Sequence, residues 1–252
     1  ALRSPRLDLP PPLSELELQR ELQELSSRNV DVGRFACFLG GGAYNHFIPA
    51  VVRRIVSRGE FATAYTPYQP EVSQGTLQAT YEFQSLVCLL FQMEVANAGM
   101  YDGATALAEA ALMACRVTGR ERILALETLS PSYRQVVQTY ALAQGLQVDS
   151  APSGVVEVPP DTACLLVQHP NFYGYLEDVE RLEKAAHQGG ALLVMSMNPV
   201  AMGLLRPPGD SGADIAVAEG QPLGVPLSGG GPYVGLFTCR QRFLRQMPGR
   251  IV

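Results

Sequence analysis

The sequence predicts an α/β fold, a mostly parallel sheet with helices on both faces. Three observations carry that prediction. Short runs at 122–127, 163–168, 192–196, 214–218 and 234–239 are nearly continuously apolar, as strands covered on both sides are. Amphipathic helical patterns separate the first three of them, which calls for crossover connections. The chain has 252 residues, 47% apolar and only 17% charged, enough to fill a sizeable core and too apolar for global disorder.

The elements follow in order. Residues 1–13 are proline-rich and read as an extended arm. Ser14 caps a helix, with Glu17 three positions on completing a capping box and Leu16, Leu18, Leu22 and Leu25 forming an apolar stripe. The turn Gly40-Gly41-Gly42 and a short helix over 51–58 come next. Two prolines in 64–75 forbid a regular helix and break a central strand, so that stretch is expected to be a shaped loop. A long helix runs from Thr76 to about Met93, and an alanine-rich helix follows Asp102-Gly103. After the strand at 122–127, Ser130-Pro131 opens a helix, with serine as cap and proline in the first turn, that closes at Gly145. A strand at 163–168, a helix over 176–187 with Val179, Leu182 and Ala186 on one face, and the strands at 192–196, 214–218 and 234–239 complete the pattern. Two regions result: 1–75, an arm with helices and a loop, and 76–252, the α/β domain. The chain opens on alanine and stops on an apolar segment, so we expect a fragment of something longer.

Composition excludes several classes of partner. Acidic residues outnumber basic ones by 24 to 19, a net charge of −5, which leaves no basic footprint for nucleic acid or an anionic membrane. No apolar run reaches the roughly 20 residues of a membrane span. The five cysteines, 37, 88, 115, 164 and 239, form no C-x-x-C pair and read as reduced core thiols of a cytoplasmic protein. The histidines, His46, His169 and His187, are too scattered for metal ligation and read as loop or surface residues, so no metal is expected. Gly40-Gly41-Gly42 meets neither nucleotide fingerprint. Gly209-Asp210-Ser211-Gly212 and His187 echo serine-protease words, but a turn and an exposed last helical turn explain them better, and no acid is placed by the sequence to orient the histidine. Asp102-Gly103-Ala104-Thr105 reads either as an ordinary N-cap or as an anion seat at a helix start. The polar and aromatic side chains of 65–75, pinned by prolines, are the material of a binding loop.

Four stretches together resemble glycine decarboxylase, the P-protein of the glycine cleavage system, in its subunit 1 or α-subunit form. They are Phe38-Leu39-Gly40-Gly41-Gly42; Thr63-Ala64-Tyr65-Thr66-Pro67-Tyr68-Gln69-Pro70-Glu71-Val72-Ser73-Gln74-Gly75; Tyr101-Asp102-Gly103-Ala104-Thr105-Ala106-Leu107-Ala108-Glu109; and Gly212-Ala213-Asp214-Ile215-Ala216-Val217, followed by Gly229-Gly230-Gly231-Pro232. The resemblance spans about 35–252. It implies a fold-type I pyridoxal-phosphate (PLP) architecture, with the family's smaller C-terminal domain lying beyond Val252. It also implies the chemistry of glycine: decarboxylation with PLP as electron sink, then transfer of the aminomethyl group to the lipoyl arm of the H-protein.

The catalytic equipment of that family is incomplete here. Aligned on the glycine-rich turn, Gln221 stands where the Schiff-base lysine belongs, and Ser196 where an aspartate would face the pyridinium nitrogen. Lys184, the chain's one lysine, lies mid-helix beside Glu180 and Glu183 in what reads as a solvated charge pair. The resemblance therefore implies a non-anchoring subunit, inactive alone, with no covalent PLP. Its partner, the catalytic P-protein subunit 2 (β), carries PLP at a shared interface in a heterotetramer with two copies of each chain. Tyr65, Thr66, Tyr68, Gln69, Glu71, Ser73 and Gln74 are the expected substrate and interface residues, and Gly103, Ala104 and Thr105 a vestigial phosphate seat. The alternatives are a regulatory or scaffold module on a degenerate PLP-enzyme fold, or a stand-alone PLP enzyme.

Overall fold

The structure, a computed structural model, describes residues 8–61, 66–154 and 157–252. The chain divides into two compact units, one ending at Leu39 and the other running Gly40–Val252. The first holds α1 (Glu15–Ser27). Its capping box is formed as expected: the Ser14 backbone N–H donates to the Glu17 carboxylate at 2.9 Å, and the Ser14 side chain accepts from the Glu17 backbone. The leucine stripe of α1 is exposed.

The second unit carries α2 (Ala50–Val56), α3 (Pro70–Phe91), β1 (Val95–Ala96), α4 (Gly103–Thr118), β2 (Arg122–Leu126) and α5 (Pro131–Leu142). It continues with β3 (Gln147–Ala151), β4 (Thr162–His169), α6 (Val179–Gln188), β5 (Leu192–Met197), β6 (Ile215–Glu219) and β7 (Gly235–Cys239). The sheet order is β1-β7-β6-β5-β4-β2-β3. Strands β2 to β6 pair in parallel, whereas β7 runs antiparallel to both β6 and β1. The expected α/β architecture is thus present, with an antiparallel edge that the apolar runs did not announce.

Side-chain alternation divides the core between the two faces. Leu192 and Val194 of β5, with Ile215 and Val217 of β6, pack toward α4 and α5. Leu193, Met195, Ala216 and Ala218 pack toward α3 and α6. The middle of α4 is buried nearly all round, so its small alanines let the sheet on one side and α5 on the other approach together.

Several expectations need correction. Residues 70–75 are helical, not loop: Pro70 is the first residue of α3, where a missing N–H is tolerated, and the irregularity is confined to a kink at Ser73 (φ −125°, ψ 20°). The helix expected over 176–187 starts only at Val179, because the Asp178 side chain accepts from the Arg181 N–H and sets the first turn. The helix expected to close at Gly145 ends at Leu142, and Ser130 at its N-cap makes no side-chain capping bond. Strands β1 and β3 were not legible, one being two residues long and the other polar. Glu180 pairs with Arg206 (3.1 Å) and Glu183 with His187 (2.7 Å), leaving Lys184 outside the charge pair expected of it. His169 is a buried strand end rather than a surface residue, its Nδ1 accepting from the Glu177 N–H at 3.2 Å. Cys37 is exposed and Cys88 half-buried, so only Cys115, Cys164 and Cys239 are core thiols.

Candidate functional site

The carboxyl ends of β4, β5 and β6 lie side by side, as the register Gln168↔Ser196 and Ser196↔Val217 requires. In open α/β sheets, ligands are bound beyond these ends. Here a cavity of about 40 Å³ opens beside Gln168, Ser196 and Glu219 and is lined as well by Gly42, Ser130 and Tyr133. The glycine turn reaches it because Gly40, Gly41 and Gly42 all take positive φ (58°, 79° and 119°), a conformation natural to glycine. No cationic side chain lines it among the described residues.

Glu219 closes the apolar strand β6 and is 7% exposed. Its Oε2 accepts from the Gly103 N–H at the start of α4 (2.9 Å). Its Oε1 accepts from the Gln221 N–H (2.9 Å) and the Val234 N–H (3.4 Å). Burial raises its carboxyl pKa; the three backbone donors oppose that, and the negative charge of Asp102 adds to it. The N terminus of α4 is otherwise served by Asp102, whose Oδ1 accepts from the Thr105 N–H (2.7 Å) and hydroxyl (2.9 Å). The two sequence readings of this segment therefore meet: Asp102 is a cap, and a second carboxylate sits on the helix start. The approach is close enough to demand glycine. A methyl at Gly103 would lie 2.6 Å from the Tyr133 hydroxyl and 2.8 Å from the Glu219 nitrogen. Tyr133 stays protonated, its phenol pushed up by burial and then by the charges of Glu219 and Asp102.

Gln221 is 2% exposed and fully engaged. Its Oε1 accepts from the Tyr44 N–H (2.8 Å), and its Nε2 donates to the carbonyls of Tyr44 (2.9 Å) and Val225 (2.8 Å). Gln221 thus braces the backbone at Tyr44, just after Gly40-Gly41-Gly42, against the segment that follows β6. Ser196 lines the cavity from the end of β5.

The structure brings Gln221, Ser196 and Gly103–Thr105 into one neighbourhood. It does not bring the binding-loop residues there. Thr66, Tyr68, Gln69, Glu71 and Gln74 are exposed, Ser73 is half-buried, and none of them lines the cavity. Arg250 reaches this segment, stacking 5.5 Å from the Tyr68 ring and donating to the Pro67 carbonyl at 3.0 Å. Tyr65 lies outside the described residues. Sequence reasoning passed over Glu219, Tyr133 and Gln168; the acid ending an apolar strand marks the first as unusual, but its role shows only with its partner Gly103, far away in sequence. Elsewhere, at the amino ends of the strands, His187 does meet acids: Asp214 at 2.8 Å and Glu183 at 2.7 Å. The Ser211 hydroxyl donates to the Pro207 carbonyl, consistent with the turn expected there.

Comparison with known proteins gives a consistent picture. A family model described as glycine cleavage system P-protein matches residues 2–252. The chain is 52% identical over 249 residues to the probable glycine dehydrogenase (decarboxylating) subunit 1 of Desulforamulus reducens, covering 95% of this chain and 56% of that protein. It is 54% identical over 256 residues to the protein of the same name from Chlorobium phaeobacteroides, covering 98% and 58%. The crystal structure of glycine decarboxylase (P-protein) of the glycine cleavage system, in inhibitor-bound form, superposes with a TM-score of 0.93 at 47% identity, over 98% of this chain and 57% of that one. A sphingosine-1-phosphate lyase of Burkholderia pseudomallei, at 15% identity and TM-score 0.65, shares the fold alone. The chain spans a little over half the length of the curated relatives it matches. The fold-type I architecture expected from the resemblance is borne out.

Proposed function

The chain belongs to the P-protein family of the glycine cleavage system, and from that premise we propose that it is the non-anchoring subunit of a two-chain glycine decarboxylase. In this reading a homologous lysine-bearing subunit carries PLP, the group that stabilises the carbanion left when glycine loses its carboxylate. The aminomethyl group then passes to the lipoyl arm of the H-protein. The assembly holds two copies of each chain and works in the cytoplasm. What supports a cytoplasmic setting is a set of five free cysteines.

One observation carries the assignment of roles: the residues of this chain do not fit PLP. The aligned anchor is the amide of Gln221, already committed to Tyr44 and Val225. The anion position at the start of α4 receives the Glu219 carboxylate. The remaining cavity of about 40 Å³ has room for about three or four waters at roughly 10–15 Å³ each. Small-molecule sites run to about 300–1,000 Å³. In this reading the stretch holding Thr66, Tyr68, Gln69, Glu71, Ser73 and Gln74, with Tyr65 just before it in sequence, serves the partner's site across the interface.

The test is reconstitution. The complete chain, its lysine-bearing homologue and lipoylated H-protein are mixed, and carbon dioxide release from carboxyl-labelled glycine is followed. Activity is expected from the mixture and from neither subunit alone; a pair that assembles and stays inactive removes the reading. Within an active complex, Glu71→Gln and Tyr65→Phe should lower turnover with assembly intact. Unchanged turnover would favour a scaffold role.

A further inference from the structure

We propose that Glu219 is a built-in substitute for a ligand phosphate, a specificity residue that keeps the α4 N terminus closed to phosphate-bearing ligands. The free N–H groups and macrodipole of a helix start favour one anion. In this chain that anion is covalently part of the fold: Oε2 lies 2.9 Å from the Gly103 nitrogen, and Oε1 is held in register by the Gln221 and Val234 N–H groups. Three donors on two oxygens fix the carboxylate in place rather than letting it swing aside.

A phosphate arriving at Gly103 would meet three obstacles. It would have to displace Glu219 from a buried position, leaving the Gln221 and Val234 donors to find other partners. If the carboxylate stayed, two anions would share one helix end, with Asp102 as a third charge on the same turn. Nor does any Lys or Arg line the adjoining cavity to offset that charge among the described residues. It follows that losing the anchor lysine and filling the phosphate seat are separate changes. Restoring a lysine at Gln221 would not reopen the site while Glu219 remains.

The inference stands on this geometry and not on glycine chemistry, so a failed reconstitution would leave it intact; its own failure would leave the subunit assignment to rest on the engaged Gln221 amide and the small cavity. The probe is inorganic phosphate, and the protein is the complete chain. Thermal unfolding midpoints are compared in phosphate and in chloride at matched ionic strength and pH, for the unaltered protein and for Glu219→Ala. The unaltered protein should show no phosphate-specific shift. Glu219→Ala should melt lower in chloride and recover by about 3 °C or more in phosphate, because a ligand bound only by the folded state raises its midpoint. Should Glu219→Ala accumulate only as insoluble protein, the refolding yield from denaturant in phosphate against chloride gives the same reading, and Glu219→Ser, which keeps an acceptor oxygen, provides a second variant. Equal phosphate responses in the unaltered and altered proteins, or equal refolding yields in the two salts, would overturn the proposal.

Discussion

Around the cavity, the value of each buried side chain depends on how fully its polar atoms are matched. Gln221 uses both ends of its amide, so Gln221→Ala should strand the Tyr44 N–H and the two carbonyls and cost about 2–4 kcal/mol. Ser130 is the opposite case. Its N–H donates to Gln168 Oε1 at 2.8 Å, a bond any residue but proline could make, while its hydroxyl is buried without a partner. A working serine cap is worth about 1 kcal/mol. Ser130→Ala should therefore cost about 0.5 kcal/mol or less in urea unfolding, since the lost hydroxyl was already desolvated and unmatched. A loss of a full kilocalorie would mean the hydroxyl does cap α5 in solution.

Between elements, the tightest joint is where the segment after β5 returns under the end of α3. The Gly209 N–H donates to the Phe91 carbonyl at 2.9 Å, and a methyl at Gly209 would sit 1.7 Å from the Gln92 carbonyl oxygen. That oxygen is backbone and cannot rotate away. Gly209→Ala should cost about 3 kcal/mol or more, measured by chemical denaturation, with the α3 terminus displaced. A second joint ties α6 to the start of β6. Burial lowers the His187 pKa, but hydrogen bonds and charges from Asp214 and Glu183 outweigh it and hold the imidazole above its usual 6.5. Arg242 pairs with Asp214 from beyond β7, and Glu94 and Arg240 border the same pocket. A raised folded-state value contributes stability that is complete below about pH 6.5 and is lost as pH climbs through the raised value. The difference in urea midpoint between the unaltered protein and His187→Gln should therefore shrink from pH 6 to pH 8.5; a constant difference would assign the joint to packing alone. Legibility divides along the same lines. Strands β2, β4, β5, β6 and β7 and helix α4 could be read because their apolar pattern is local. The start of α3 was missed because Pro70 signals a break in the interior of a helix and is compatible with its first residue. Gln221 and Ser196 were located through a family resemblance, whereas Glu219 went unread because what gives it meaning is Gly103, 116 residues away in sequence.

Across the whole chain, the buried apolar core is concentrated in one part. No described residue before Val87 is among its buried apolar side chains, and every described residue through Leu39 is exposed. The seven strands and both faces of the core fall within Gly40–Val252, the second compact unit. The leucines of α1 remain 47–56% exposed, so the stability of that helix rests on its capping box and helical propensity, which are worth little in isolation. Tolerance to truncation follows burial and backbone pairing rather than position in the sequence. A chain beginning at Gly40 should therefore fold by itself, unfold cooperatively by far-ultraviolet circular dichroism, and lose no more than about 1 kcal/mol, roughly 2–4 °C in midpoint for a protein of this size. Should the midpoint instead fall by 10 °C or cooperativity vanish, the amphipathic helix would be a stabilising part of the α/β unit. Should folding survive while assembly with the lysine-bearing subunit is lost, the exposed leucine face would belong to the interface that the proposed function requires.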